Sequence, residues 1–208
     1  MNASLRGTGR LLAASLRALL ALTVVCGVLY PLAVTGVAQT AFHDKANGSL
    51  VEADGRQVGS RLVGQRYDLP PARGEQDPRP DPRYFQGRPS HSGYDPLATG
   101  SSQLGASDPR LVAMVRAARK QVAEFNGVPE PAVPKDAVTG SASAIDPDIS
   151  EAYARLQTRR VARANGLPAA AVARLVKDHT AGRDLGFLGE PHVNVLELNI
   201  AVRRLAER

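Results

Sequence analysis

Aromatic residues are scarce in this chain of 208 residues: phenylalanine, tryptophan and tyrosine together make up 4%, and tryptophan is absent. Proteins that hold single-stranded nucleic acid commonly stack its bases on aromatic rings, so this composition disfavours such a partner. The net charge is +6, but half of it comes from Arg6, Arg10 and Arg17, which precede the first acidic residue. The rest of the chain is nearly balanced and offers no concentrated basic face, so no nucleic-acid partner is predicted.

Several chemistry-bearing motifs are also missing. Cys26 is the only cysteine, so no disulfide can form within the chain and its folded part must be stabilised by packing. The sequence has no G-x-x-x-x-G-K-[ST] loop and no G-x-G-x-x-G turn, which are common phosphate-binding motifs. Its four histidines are scattered and have no cysteine partners, so the sequence predicts no metal site and no covalently bound cofactor.

A long uncharged segment lies near the N-terminus. Residues 18–42 contain no charged side chain over 25 positions. As an α-helix this segment is about 37 Å long, which exceeds the roughly 30 Å of a bilayer's hydrocarbon core. We therefore predict a basic tail over 1–17 and a transmembrane helix over 18–42, irregular near Pro31. The alternative is a cleaved signal peptide, which would release a secreted binding protein, but its apolar region usually runs only about 7–15 residues.

Flanking charge predicts the orientation of this helix. Three arginines precede it, whereas the residues that follow carry both signs of charge: Asp44, Lys45, Glu52 and Asp54. Because positive flanks stay in the cytoplasm, the N-terminus is predicted to lie inside. Residues 43–208 then form one soluble extracytoplasmic domain, anchored by this helix.

The soluble part is predicted to be α+β, with helices dominating its second half. Short β-like stretches occupy residues 49–69, and a proline-rich segment over 70–96, with seven of the fifteen prolines, is predicted to be irregular. Its aromatic residues Tyr84, Phe85 and Tyr94 are expected to dock onto the core. Capping residues and apolar spacing predict four helices, over about residues 109–126, 147–165, 168–181 and 195–208.

The stretch VTGSASAIDPDIS (138–150) raises the possibility of an anion site, because hydroxyls and backbone N–H groups at a helix start can hold a phosphate. Without a lysine or a phosphate-loop spacing, the residues themselves favour a capped turn into a helix.

Two other patterns have competing interpretations. The run RPSHSGYD places His91 between Ser90 and Ser92 with Asp95 nearby; an exported hydrolase is one hypothesis, but a surface loop is favoured because sequence neighbours generally cannot form a triad. Arginines recur at i, i+4 and i+8 on the second predicted helix, where a charged row opposite an apolar face usually faces solvent.

Five blocks, in order behind the single apolar helix, resemble one protein family over nearly the whole chain. They are GSRLVGQ (59–65), YFQGRPS (84–90), YDPLATGSSQLGASD (94–108), VTGSASAIDPDIS (138–150) and GFLGEPHVNVLELNIAV (186–202). Together they resemble the C subunit of the Kdp-type potassium-transporting P-type ATPase, the KdpC family.

The resemblance implies an accessory, non-catalytic subunit of an ATP-driven potassium uptake complex in the bacterial inner membrane. The implied partners are a potassium-binding channel-like subunit, a P-type ATP-hydrolysing subunit and a small membrane subunit. It also implies a catalytic chaperone that raises the ATP affinity of the hydrolysing subunit, with nucleotide contacts that map to Ser141, Ser143 and Gln157. The predicted orientation favours another role, an extracytoplasmic cap over the channel entrance that does not contact ATP.

Overall fold

The computed structural model describes residues 2–70 and 78–207, with side chains from residue 7 onward. The chain divides into two compact units, Met1–Ser49 and Leu50–Arg208. Each unit is described separately below.

The first unit is helical. Helix α1 spans Asn2–Val24, a π-helical segment spans Val25–Leu29, and helices α2 and α3 span Tyr30–Ala41 and His43–Ala46. Its portion Gly7–Ala41 contains an 18-residue window with a mean hydropathy of 2.2 and no buried residue, which makes it long and apolar enough to cross a membrane. The π-helical segment ends two residues before Pro31, so the irregularity lies where proline's missing N–H predicts it.

The second unit begins with a hairpin of strands β1 (Leu50–Ala53) and β2 (Arg56–Ser60), paired antiparallel. Asp54 and Gly55 form the turn, with φ angles of 53° and 72°. Positive φ at both central residues is what the favoured two-residue hairpin turn requires, and Asp-Gly is a preferred sequence for it. The predicted β character of residues 49–69 is confirmed in this hairpin.

A second, three-stranded antiparallel sheet has β5 in the centre. Strand β5 (His192–Asn194) pairs with β3 (Asp148–Ser150) on one side and β4 (Thr180–Ala181) on the other. Around it are helices α4 (Pro109–Asn126), α5 (Glu151–Ala164), α6 (Ala169–Asp178) and α7 (Val195–Ala206). Two short 3₁₀ turns, Glu130–Ala132 and Lys135–Ala137, follow α4.

Local capping explains where these helices begin and end. The Asp108 carboxylate accepts from the Arg110 N–H at the start of α4, and Gly127 ends that helix in the left-handed conformation with φ 64°. The Asn194 side chain likewise accepts from the Glu197 N–H and caps α7. The predicted bounds of α4 and the predicted start of α7 are confirmed, whereas α7 ends at Ala206, before the predicted residue 208.

The predicted start of α5 at Asp146-Pro147 is wrong. Residues 148–150 instead extend as β3 and pair with β5, and α5 begins at Glu151. Ser150 is the cap, since its hydroxyl accepts from the Tyr153 N–H and donates to Asp136. Pairing with a distant strand therefore overrides the local helix signal.

The core lies between the second sheet and helices α5, α6 and α7. Its largest fully buried side chains include Phe85, Ile149, Val161, Leu198 and Val202. Phe85 comes from the proline-rich segment, whose described residues 78–96 form no helix and no multi-residue strand. Tyr84 is half-buried and packs against Tyr67 with ring centroids 5.3 Å apart, so the predicted docking of this segment is confirmed.

Candidate functional site

Two side-chain amides hold the irregular segment at Phe85 and Gln86. The Asn199 amide of α7 accepts from the Phe85 N–H at 2.7 Å and donates to the Phe85 carbonyl at 2.9 Å. Likewise, the Gln157 amide of α5 accepts from the Gln86 N–H at 2.8 Å and donates to the Gln86 carbonyl at 3.0 Å. Each amide thus replaces the neighbouring strand that an extended segment would otherwise need.

Arg160 supports the same segment from within the protein. Its guanidinium is buried and donates to the carbonyls of Pro82 and Tyr84, at 2.7 and 2.9 Å, and to the Gln157 side-chain oxygen at 2.6 Å. It also lies over the Phe125 ring, 4.3 Å from the centroid. Burial lowers the pKa of Arg160 to about 10, because neutral oxygens and a ring replace water around its charge.

A loop that we call the junction loop, residues 138–146, forms hydrogen bonds with three of the other blocks that carry the family resemblance. Arg88 forms a 2.8 Å ion pair with Asp146, and its guanidinium also donates to carbonyls of this loop. The Ser90 hydroxyl donates to the Ala144 carbonyl at 2.6 Å, and the Gly100 N–H donates to the Ser143 carbonyl at 3.0 Å. Four blocks that are separate in sequence therefore meet here, since Gly64 also donates its N–H to Ile145.

The predicted residues Ser141 and Ser143 lie together in the junction loop. The Ser141 hydroxyl accepts from the Ala144 N–H at 3.0 Å and the Ser143 hydroxyl accepts from the Ile145 N–H at 3.2 Å. The two hydroxyl oxygens are 3.2 Å apart. Ala144 is buried and has a positive φ of 62°, a conformation that these serine contacts help to hold. The geometry is that of a hydroxyl-capped turn.

A cavity of about 410 Å³, the serine groove, opens beside Ser141. Hydroxyl groups of Ser101, Ser102 and Thr139 line one part of it, and Leu111 and Met114 of α4 line another. Sequence reasoning did not predict that residues 101–104 and 138–141 share a cavity, and no local signal in either stretch indicates it. The described lining residues include no lysine or arginine, so the groove suits a neutral ligand better than a phosphate.

Gln157 lies elsewhere. It is fully buried, does not line the serine groove, and uses its amide for Gln86 and Arg160. Its spacing could have revealed this burial, because Gln157 follows Tyr153 and Ala154 by one helical turn on the apolar face of α5.

A second cavity, of about 340 Å³, lies against Tyr94, Phe125 and Tyr153. The Tyr94 hydroxyl donates to the Arg88 carbonyl at 2.6 Å. Burial raises the pKa of Tyr94, and it raises the pKa of Tyr153 to about 12. Both hydroxyls therefore stay protonated through the physiological range.

The hydrolase hypothesis finds no triad in the described part of the chain. The Ser90 hydroxyl is engaged by Ala144 and also accepts from the Tyr94 N–H at 2.8 Å. The Asp95 carboxylate accepts from the Leu97 N–H in a tight turn, and His91 is exposed. The predicted arginine row on α5 faces solvent; its members are Arg155, Arg159 and Arg163. Arg155 donates to Glu151 on the same helix. Residues 2–70 and 78–207 also contain no group of three metal-binding side chains.

The described part of the chain has one long apolar helix followed by an α+β domain, an arrangement that fits a single-pass membrane protein. The family model for the K+-transporting ATPase c chain, KdpC, matches residues 12–204. The chain therefore belongs to the KdpC family, and it is a subunit of a multi-subunit potassium-transporting ATPase.

Curated relatives agree with this assignment over almost their entire length. The potassium-transporting ATPase KdpC subunit of Streptomyces coelicolor is 52% identical over 218 residues, which cover 99% of this chain and 97% of the relative. The KdpC subunit of Gemmatimonas aurantiaca is 47% identical, over 89% of this chain and 88% of its own. The KdpC subunit of Mycobacterium tuberculosis is 45% identical, over 94% of this chain and 99% of its own length.

Proposed function

We propose that this chain is a non-catalytic accessory subunit, needed for assembly and activity of the potassium-transporting complex. Its folded domain lies outside the cytoplasm as a cap over the entrance of the channel-like subunit. The observation that carries this proposal is the charge around the apolar helix, with arginines before it and mixed charges after it. The P-type subunit supplies ATP hydrolysis in this proposal, and a small membrane subunit completes the complex.

The internal bonding of the domain supports a role in assembly. Asn199, Gln157 and Arg160 fix a segment that has no regular secondary structure, and Arg88 and Ser90 connect that segment to the junction loop. A surface that is fixed before binding loses less conformational entropy when a partner docks on it. The engagement of Ser90 by Ala144 also supports a non-catalytic role.

Labelling of introduced cysteines tests the cap proposal. In a Cys26→Ser background, Ala98→Cys lies on an exposed turn of the domain and Ser4→Cys lies in the N-terminal tail. A membrane-impermeant maleimide should label the Ala98→Cys protein in intact spheroplasts, and the Ser4→Cys protein only after lysis. The reverse pattern would place the domain in the cytoplasm and overturn the cap.

The second candidate function is the catalytic chaperone, in which this chain contacts ATP bound by the hydrolysing subunit. It is favoured by Ser141, which lines a groove of about 410 Å³, within the roughly 300–1,000 Å³ of small-molecule sites. Because lysine and arginine are absent from the described lining, Ser141 and the adjacent Ser143 would contact the base or ribose and not the phosphates. Gln157 would act indirectly, by holding the segment that carries Ser90, unless Gln86 is displaced to expose it.

ATP dependence of the purified complex tests this candidate. A Ser102→Ala, Ser141→Ala double variant should raise the ATP concentration for half-maximal hydrolysis if the groove holds the nucleotide. Thr99→Ala is the matched control, because Thr99 is an exposed hydroxyl residue that does not line the groove. An unchanged half-saturation in the double variant would exclude nucleotide contact there.

A further inference from the structure

The loop between β4 and β5, residues 182–191, presents a tight apolar tip. Asp184 and Leu188 exchange two backbone hydrogen bonds of 2.9 Å, which close the loop. Within it, Leu185 and Gly186 have φ angles of 52° and 82°, and the Phe187 N–H donates to the Asp184 carbonyl. Positive φ at both central positions is the requirement of a type I′ turn.

The side chains at this tip are exposed although they are apolar. Leu185 is 83% exposed, Phe187 69% and Leu188 50%. Three large exposed apolar side chains thus lie within four residues, and clustered exposure of this kind marks an interaction surface more than a scattered exposed leucine does.

The turn itself does not need a leucine. Asn-Gly and Asp-Gly are the preferred sequences for a turn with these angles, and leucine rarely adopts positive φ. The hairpin between β1 and β2 in the same chain uses Asp54 and Gly55 at the equivalent positions. Leu185 thus occupies a strained backbone position and contributes no burial within the domain, so its side chain is better explained by an external contact.

Charges around the tip indicate the kind of surface it meets. Arg183 is paired with Glu190 at 3.0 Å, and Asp184 adds a further negative charge. Segments that insert into bilayers usually surround their apolar residues with lysine and arginine, which attract anionic lipids. A second copy of the same loop would bring Asp184 and Glu190 close to their equivalents, and like charges oppose such pairing.

We propose that the Leu185–Leu188 tip is an anchor that inserts Leu185 and Phe187 into an apolar concavity on another chain of the potassium-transporting ATPase. The partner's rim is neutral or basic, to complement Asp184, since Glu190 is paired with Arg183. The proposal rests on membership of the multi-subunit family and is independent of nucleotide contact and of the orientation in the membrane.

Retention in the purified complex tests the anchor. The double variant Leu185→Asn, Phe187→Ser removes the apolar side chains and at the same time creates the favoured Asn-Gly turn. We expect its thermal unfolding temperature to be unchanged or raised. Its affinity for the rest of the complex, purified through a tag on another chain, should fall by about tenfold or more, as loss of a buried anchor does. Leu97→Asn is the matched control, because Leu97 is 94% exposed on a different turn and should leave affinity unchanged.

Photo-crosslinking identifies the occupant. A photoreactive phenylalanine analogue placed at position 187 in the full chain should crosslink to another chain of the assembled complex. Crosslinks to lipid or to a second copy of this chain would overturn the proposal. Unchanged affinity of the double variant, or an equal loss in the Leu97→Asn control, would overturn it as well.

Discussion

Asn199 binds both main-chain groups of Phe85, although the two residues are 114 positions apart in the sequence. The bonds join the block YFQGRPS (84–90) to the block GFLGEPHVNVLELNIAV (186–202) at a buried point of the core. They also fix the position of the Phe85 ring, which has no exposed surface.

Asn199→Leu is expected to destabilise the domain strongly. Leucine has a similar size but leaves the buried N–H and carbonyl of Phe85 without partners, at a cost of about 2–4 kcal/mol in the free energy of unfolding. Urea denaturation of the full chain in detergent measures this as a lower midpoint. Asn165→Ala serves as the control, because Asn165 bonds an exposed carbonyl of Arg83 and should cost less than about 1 kcal/mol. Equal losses for both variants would contradict the importance of the buried pair.

Loss of the α5 cap should have a smaller effect. Ser150→Ala removes the hydroxyl that accepts from the Tyr153 N–H and donates to Asp136. We expect a loss of about 1–2 kcal/mol, the usual range for a helix cap. Ser143→Ala provides a comparison, since its hydroxyl is exposed and bonds only within its own turn. A smaller effect at Ser150 than at Ser143 would contradict the capping role.

Tyr153 should make the domain sensitive to alkaline pH. Burial raises its pKa from 10.0 to about 12 in the folded protein, so the unfolded chain loses this proton first. The stabilisation is complete below pH 10 and is lost as the pH rises through about 12, by up to about 2–3 kcal/mol.

Tyr153→Phe tests this linkage. Unfolding midpoints measured between pH 8 and 11.5 should fall less steeply for the variant than for the unmodified chain, with little difference at pH 8. Part of the slope should remain, because burial also raises the pKa of Tyr94. Parallel pH profiles for the two proteins would show that Tyr153 does not titrate as described.

A charge in the apolar helix should impair its insertion. Val25 lies within the Gly7–Ala41 stretch, and Val25→Asp should disfavour insertion by roughly 2.5–3.5 kcal/mol near the helix centre. The fraction of chain that resists alkaline carbonate extraction from membranes measures the effect. Asn47→Asp lies beyond the stretch and should remain fully membrane-bound; full retention of Val25→Asp would indicate that this helix is not the span.

Features with local causes could be predicted from the sequence. Asp108 and Gly127 bound α4, and Asn194 caps α7, because each bonds to residues only a few positions away. The start of α5 could not be predicted in this way, since residues 148–150 pair with residues 192–194.

The same distinction applies to the candidate site. The serine pair at Ser141 and Ser143 follows from the turn chemistry of its own loop. The groove beside it depends on residues 101–104 packing near residues 138–141, which involves no periodic pattern. Gln157 was predicted as a ligand contact by resemblance. Its place on the apolar face of α5 could have revealed its burial, but its pairing with Gln86 depends on how the proline-rich segment crosses α5.

The amide pairing of Phe85 also has a consequence for the biosynthesis of the chain. Residues 84–86 are synthesised long before Asn199, which follows Phe85 by 114 positions. Contacts that are so distant in sequence form slowly, because a long loop must close before they stabilise the fold. The segment therefore stays without this native partner until α7 has been synthesised, and a chain truncated before α7 lacks the amide that pairs with Phe85.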